Sequence, residues 1–332
     1  MLVLKLTHYP KQLHLDSHEK MGALYIGVAM AIVQPTTIIE SPRLSKRLGV
    51  DVFLATETFQ HTGSFKFRAA YSVASGVPHR LVIAASSGNF GQALAYACSL
   101  LQKSSIIVMP ATSAKVKVDA VRGYGGQVEF VDVRVTSRQQ RVAELSREHP
   151  DAYVASAYDD PLVILGNSSL GREIGNLDRR IDVVVSPIGG GLSSGIITGI
   201  RETGKQIQVI GAEPHVGNRA ARSLRAGKLI TLEEEPPTIA DGARTLSLGK
   251  HNWEILRTGL AGIVEAGEDD IREAVRLLFH LANLKVEPTG ALSVAALLAS
   301  PQRFQGKSVC CVVSGGNVDE RVYADILTPL LS

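Results

Sequence analysis

From Asp51 onward, short apolar runs alternate with helix-length segments, and this rhythm constrains the fold more than any other feature of the chain. Val52 to Ala55 reads as a strand and Phe65 to Ser75 as a helix. Leu81 to Ala85 and Ile106 to Met109 read as strands, followed by helices over Gly91 to Leu101 and Ala114 to Arg122. Val128 to Val131 leads to a helix over Ser137 to Glu148, Val183 to Val185 to a helix from Leu192, then Gln208 to Ala212. Val309 to Val313 is a last strand. Such alternation implies α/β layers with mostly parallel sheets. Strands this continuously apolar are covered by helices on both faces.

Other function classes are excluded by what the chain lacks. Its 332 residues carry a net charge of +3, and no long run of like charge offers a footprint for nucleic acid or an anionic membrane. Glu233, Glu234 and Glu235 precede Pro236 and Pro237 and read as a solvated turn. Cys98, Cys310 and Cys311 are an odd set, unlike a disulfide framework. Cys310 and Cys311, adjacent in a strand, point to opposite faces and read as small core residues. The apolar run Met21 to Val33 is too short to span a bilayer and reads as an amphipathic or buried helix. His8, His14 and His18 read as exposed. The expected setting is cytoplasmic, with no membrane and no nucleic-acid partner.

The informative residues stand at strand-to-helix turns, where ligands bind in open α/β sheets. In Thr62-Gly63-Ser64-Phe65-Lys66-Phe67-Arg68, Gly63 and Ser64 suit a turn and cap, and Lys66 falls in the first helical turn. A lysine there opposes the helix dipole; it is either a solvated surface group or a functional amine. In Ala84-Ala85-Ser86-Ser87-Gly88-Asn89-Phe90-Gly91-Gln92, the backbone N–H groups can receive a carboxylate, or Ser86 or Ser87 simply caps the helix. In Ser186-Pro187-Ile188-Gly189-Gly190-Gly191-Leu192, three glycines let the backbone approach a phosphate, or serve tight packing alone. A dinucleotide fold is the rival for this third loop, with Glu213 as the ribose-binding acid. Ser194, however, stands where a GxGxxG run needs glycine, and the reading leaves the first two loops unexplained. No lysine follows the glycines, so a P-loop is excluded.

Taken with Thr238-Ile239-Ala240-Asp241-Gly242, Glu287-Pro288-Thr289-Gly290-Ala291 and Ser314-Gly315-Gly316-Asn317, these stretches resemble the fold-type II pyridoxal 5′-phosphate (PLP) enzymes, in particular the serine/threonine dehydratase and serine racemase family. The resemblance runs from about Thr36 to the last strand. It implies a tryptophan synthase β-like fold of two open, mostly parallel twisted sheets flanked by helices. Residues 1–79 and 158–332 would form a large PLP-binding domain and 80–157 a small one. Lys66 would carry PLP as a Schiff base and then serve as general base. Phe65 would lie beside the cofactor, Asn89 would hold its 3′-oxygen, and Gly189, Gly190, Gly191 and Leu192 its phosphate. Ser314 would pair with the pyridine nitrogen, which suits β-elimination over transamination. Ser86, Ser87, Asn89 and Phe90 would line the substrate, and Ser87 matches the position that racemases use as acid/base on the opposite face. The family's usual state is a homodimer.

The departures from the family pattern carry information as well. Ile188 replaces the first of four usual loop glycines, and Phe90 a usual histidine. Racemase-like members bind a divalent metal through a Glu, a backbone carbonyl and an Asp; Glu213 and Gly217 match the first two, but Arg219 stands at the third. No metal is therefore expected there. Arg138 aligns loosely with a carboxylate-facing arginine and reads as a surface ion pair. Trp253 reads as packing, and Asp159 and Asp160 as caps of the following helix.

The expected activity is α,β-elimination from a small β-hydroxy amino acid such as L-serine or L-threonine, giving a 2-oxo acid and ammonia. Racemisation and β-replacement are the alternatives.

Overall fold

The computed structural model describes residues 32–328. His8, His14, His18 and the apolar run from Met21, save its last two residues, lie outside them. The strands are β1 (Thr37–Glu40), β2 (Asp51–Thr56), β3 (Leu81–Ala85), β4 (Ser104–Pro110), β5 (Gln127–Val131), β6 (Ala152–Ala155), β7 (Val183–Pro187), β8 (Gln208–Pro214), β9 (Leu260–Ala266) and β10 (Ser308–Val313). The helices are α1 (Pro42–Leu48), α2 (Lys66–Gly76), α3 (Asn89–Leu100), α4 (Lys115–Gly123), α5 (Arg138–Glu148), α6 (Pro161–Gly175), α7 (Gly191–Glu202), α8 (Arg219–Ala226), α9 (Lys250–Gly259), α10 (Glu268–Ala282), α11 (Leu292–Ala299) and α12 (Glu320–Leu327).

Within the described residues these strands form two sheets, as expected for the fold class. The larger has the order β1-β2-β10-β7-β8-β9 and the smaller β5-β4-β3-β6. All pairings are parallel except β1 with β2. The strands of the smaller sheet all fall between Leu81 and Ala155.

Residues of β2 and β10 alternate between two buried faces. Val52, Leu54, Val309, Cys311 and Val313 face the core that includes α10 and α11. Phe53, Ala55, Cys310 and Val312 face the core of α6, α7 and α9, where Trp253 also packs. Burial on both faces is why these strands read as unbroken apolar runs, each Val or Leu contributing roughly 1.5–3 kcal/mol. Cys310 and Cys311 are fully buried small residues on opposite faces.

Register decides where chemistry can occur. Thr56 of β2 lies opposite Val313 of β10, and Pro187 of β7 opposite Ala212 of β8, so these strands end nearly together. The segments that follow them emerge on one rim, the carboxyl ends where such sheets bind ligands. Among the described residues no helix is long and apolar enough to cross a membrane.

Candidate active site

Lys66 opens α2 without a side-chain cap. Ser64 does not cap this helix, contrary to expectation: its backbone is extended (φ −163°) and its buried hydroxyl has no hydrogen-bond partner. The turn is instead fastened to the segment after β10. Phe65 N–H donates to the Ser314 carbonyl at 3.0 Å, Gly316 N–H to the Gly63 carbonyl at 3.0 Å, and Ser64 bridges to Gly315. Gly63 adopts φ +72°, and a Cβ there would lie 2.6 Å from Asn317 Oδ1, so geometry and space both require glycine.

Lys66 is not a solvated surface lysine. Its Nζ donates to the Ala157 carbonyl at 2.7 Å and sits 5.1 and 5.7 Å from the Phe65 and Phe90 ring centroids. Burial pushes the ammonium down to about 8, against the opposing pull of Glu287. Next along the chain from Ala157, the Tyr158 carbonyl lies over the glycine loop, 2.6 Å from where a Cβ on Gly191 would be. Ala157 and Tyr158 thus connect the amine to that loop.

Behind Lys66, the buried Arg68 donates to Glu57 Oε2 at 2.7 Å and to Glu173 Oε1 at 2.7 Å, fixing α2 to the end of β2 and to α6.

Asn89, at the start of α3, donates from Nδ2 to both carboxylate oxygens of Glu287, at 2.9 and 3.0 Å. Its Oδ1 accepts from Asn317 Nδ2 at 2.8 Å and from Gln92 Nε2 at 3.3 Å. When Glu287 is ionised, only the NH₂ of Asn89 can face it. Burial lifts the Glu287 carboxyl to about 7; Asp241 adds to the rise, and Asn89, Lys117 and Lys66 oppose it. Ser86 is buried, and its Oγ accepts from Gly91 N–H at 3.1 Å and Gly88 N–H at 3.4 Å, capping the helix start. Ser87 is half-buried in the same turn, and a Cβ on Gly88 would meet nothing within 4 Å. Gly242 N–H donates to Thr289 Oγ1 at 2.9 Å, which brings the Thr238–Gly242 stretch to the Glu287 segment.

The glycines of the third loop divide by role. Gly190 adopts φ +101°, and a Cβ on it would lie 2.9 Å from the Leu248 carbonyl. A Cβ on Gly189 would meet nothing within 4 Å, so packing does not explain that glycine. The first bond internal to α7 runs from Ser194 N–H to the Gly190 carbonyl, and the N–H groups before it are without helical acceptors. Ile188, in place of a further glycine, is buried against Gly211: a Cβ on Gly211 would lie 2.5 Å from the Ile188 side chain. A large residue at 188 is matched by a missing side chain at 211.

All six stretches singled out in the sequence therefore meet at one rim. Asp160 caps α6, accepting from Leu162 N–H at 2.7 Å, but Asp159 does not. It accepts from Lys250 N–H at 2.9 Å and Asn252 N–H at 3.2 Å and so caps α9. Arg138 pairs with Glu235 at 3.3 Å, as a surface ion pair should. Sequence reasoning gave no role to Glu287, although it quoted the stretch. It missed the Ala157 carbonyl altogether, for a backbone acceptor leaves no residue-type signal.

An aldehyde-bearing pyridine phosphate needs a primary amine shielded from water, free N–H groups at a loop with room above it, and a partner for the ring nitrogen. Lys66, the open Gly189 turn with the start of α7, and the buried Ser314 fit these needs.

Comparison with known proteins agrees. The family described as "Pyridoxal-phosphate dependent enzyme" matches residues 30–315. An L-threo-3-hydroxyaspartate ammonia-lyase from Pseudomonas sp is 35% identical over 297 residues, covering 88% of this chain and 92% of that protein. Human serine racemase is 35% identical, covering 86% of each. Among solved structures, a threonine deaminase from T.th. superposes with a TM-score of 0.83 at 36% identity, covering 89% of this chain and 98% of that one. Maize serine racemase gives a TM-score of 0.85 at 29% identity, covering 91% and 95%.

Proposed function

Since the chain belongs to the pyridoxal-phosphate-dependent enzymes, we propose that it is an ammonia-lyase: it eliminates water from a β-hydroxy amino acid, and water then hydrolyses the resulting imine to a 2-oxo acid and ammonia. The observation that carries this reading is the Lys66 amine, enclosed by Phe65 and Phe90, held at about 8 and set at the same rim as the Ser86–Asn89 turn. Bound PLP supplies an electron-withdrawing ring that makes the Cα–H of an attached amino acid acidic.

The chain's own residues do the rest. Lys66 Nζ would hold the cofactor covalently and, once the substrate's own amine has displaced it, would take the Cα proton; an amine near 8 is a competent base at physiological pH. Ser86, Ser87 and the N–H groups of their turn bind the substrate carboxylate. Asn89, held by Glu287 and Asn317, would orient the cofactor's 3′-oxygen. Gly189, Gly190, Gly191 and Leu192 would bind the phosphate at the start of α7, and Ser314 would pair with the ring nitrogen. Phe65 and Phe90 flank the amine with apolar surface. Relatives named for hydroxyaspartate make 3-hydroxyaspartate the first substrate to test, with L-serine and L-threonine beside it. We assign residues 80–157 as a small domain against 1–79 and 158–332, and infer a homodimer in a cytoplasm that keeps the free, buried cysteines reduced.

The test is a coupled assay for 2-oxo acid with each of the three substrates. Oxo acid from one or more supports the lyase reading; none from any, with an intact cofactor band, contradicts it. Racemisation is the second reading, favoured by Ser87 standing half-buried beside Ser86 in the carboxylate turn. Ser87→Ala should then abolish D-product and spare most elimination. Loss of both together would refute that division of labour.

A further inference from the structure

A buried cation sits in the turn that follows β8, beside the glycine loop. Glu213, in β8, is fully buried, and its Oε1 accepts from Ala221 N–H at 2.6 Å. Its Oε2 accepts from Ala220 N–H at 3.2 Å and from Arg219 Nη1 at 3.4 Å. Arg219 is fully buried as well. Its Nη1 also donates to the Gly217 carbonyl at 3.3 Å, and its Nη2 to the Ile188 carbonyl at 3.1 Å. One carboxylate and two carbonyl oxygens converge on this guanidinium.

That is the donor set of a hard divalent cation. Two of its members, Glu213 and Gly217, are the positions where the family resemblance puts metal ligands. The third position carries the guanidinium itself, so the residues present do not fit a metal. The charges balance nonetheless. A dication held by two carboxylates sums to zero, and so does Arg219 beside Glu213. Nη2 in addition reaches the Ile188 carbonyl, one residue before Gly189, and so ties this cluster to the loop.

We propose that Arg219 is a built-in replacement for a divalent cation, joining the end of β8 to the entrance of the glycine loop, so that the protein needs no metal at this place. Arg219 is a positioning residue and acts through the loop. That this loop binds the phosphate rests on the function proposed above; the metal independence does not.

The experiment is thermal unfolding of the full-length protein in EDTA and in millimolar Mg²⁺, Mn²⁺ or Ca²⁺, together with calorimetric titration of each metal. The wild type should melt at one temperature throughout and bind no ion. Arg219→Asp, which restores the missing acid, should melt several degrees lower in EDTA, recover with metal and bind one ion per chain. Arg219→Lys, which keeps the charge, should stay insensitive to EDTA. Metal binding by the wild type that vanishes in Glu213→Gln would overturn the proposal. So would an Arg219→Asp protein that folds but gains no metal response. If Arg219→Asp folds only in the presence of metal, the proposal is supported. If it folds in neither condition, Arg219→Lys decides: EDTA-insensitive melting supports the proposal and EDTA-sensitive melting overturns it. Because unfolding and ion binding are read without turnover, failure here is separable from failure of the lyase reading.

Discussion

Replacing Glu287 by glutamine should change how stability depends on pH, and the size of the change follows from the site. Glu287 is 5% exposed, and burial lifts its carboxyl from 4.5 to about 7, with Asp241 adding to the rise. The folded state therefore binds this proton more tightly than the unfolded chain, and between those values the native protein carries more protons. Stability must fall as pH rises through that window. At about 1.4 kcal/mol per pH unit, the ionised carboxylate costs about 3 kcal/mol above pH 7. The glutamine variant has no such proton. It keeps the shape but has one acceptor where Asn89 now meets two, at a constant cost of about 1–3 kcal/mol. The assay is urea unfolding at pH 4.5 and pH 8, on protein stripped of cofactor so that only the chain's own charges act on the carboxyl. The stability of the variant relative to wild type should rise by about 3 kcal/mol from the lower pH to the higher. A difference that stays constant, or moves the other way, would show that burial does not dominate at Glu287.

Arg68→Met should destabilise by about 3–5 kcal/mol in urea unfolding, because it leaves the buried Glu57 without its cation; a loss below about 1 kcal/mol would show that α2 is held by packing alone. Gly189→Ala should fold with near wild-type stability, since its Cβ meets nothing, yet bind the cofactor about tenfold more weakly, or ~1.4 kcal/mol, in fluorescence titration. Gly191→Ala should lose stability as well, because its Cβ would press on the Tyr158 carbonyl; equal behaviour of the two variants would sink the phosphate-cradle assignment.

What the sequence revealed and what it concealed follow from the range of the forces involved. β2, β7 and β10 were legible because burial on both faces forces continuous apolar runs. β1, β6 and β9 went unread: all three are edge strands with half-exposed residues, and β9 carries a register irregularity against β8 near Val209. The candidate site was legible at its turns, where glycine, serine and lysine stand in an order that helix starts alone do not require. The remainder depends on partners distant in the chain. Ile188 makes sense only against Gly211, Asp159 only against the first turn of α9, and Arg219 only against three oxygens at once. The failed cap at Ser64 has the same origin, since pairing with Gly315 overrides its local preference.

The proposed chemistry turns on the cofactor being carried by Lys66. Borohydride reduction of the holoenzyme, followed by proteolysis and mass spectrometry, reads that attachment directly. The expected outcome is a pyridoxyl phosphate adduct on the peptide containing Lys66 and no trapped cofactor in Lys66→Ala. An adduct on another lysine, or trapping that survives in Lys66→Ala, would overturn the assignment.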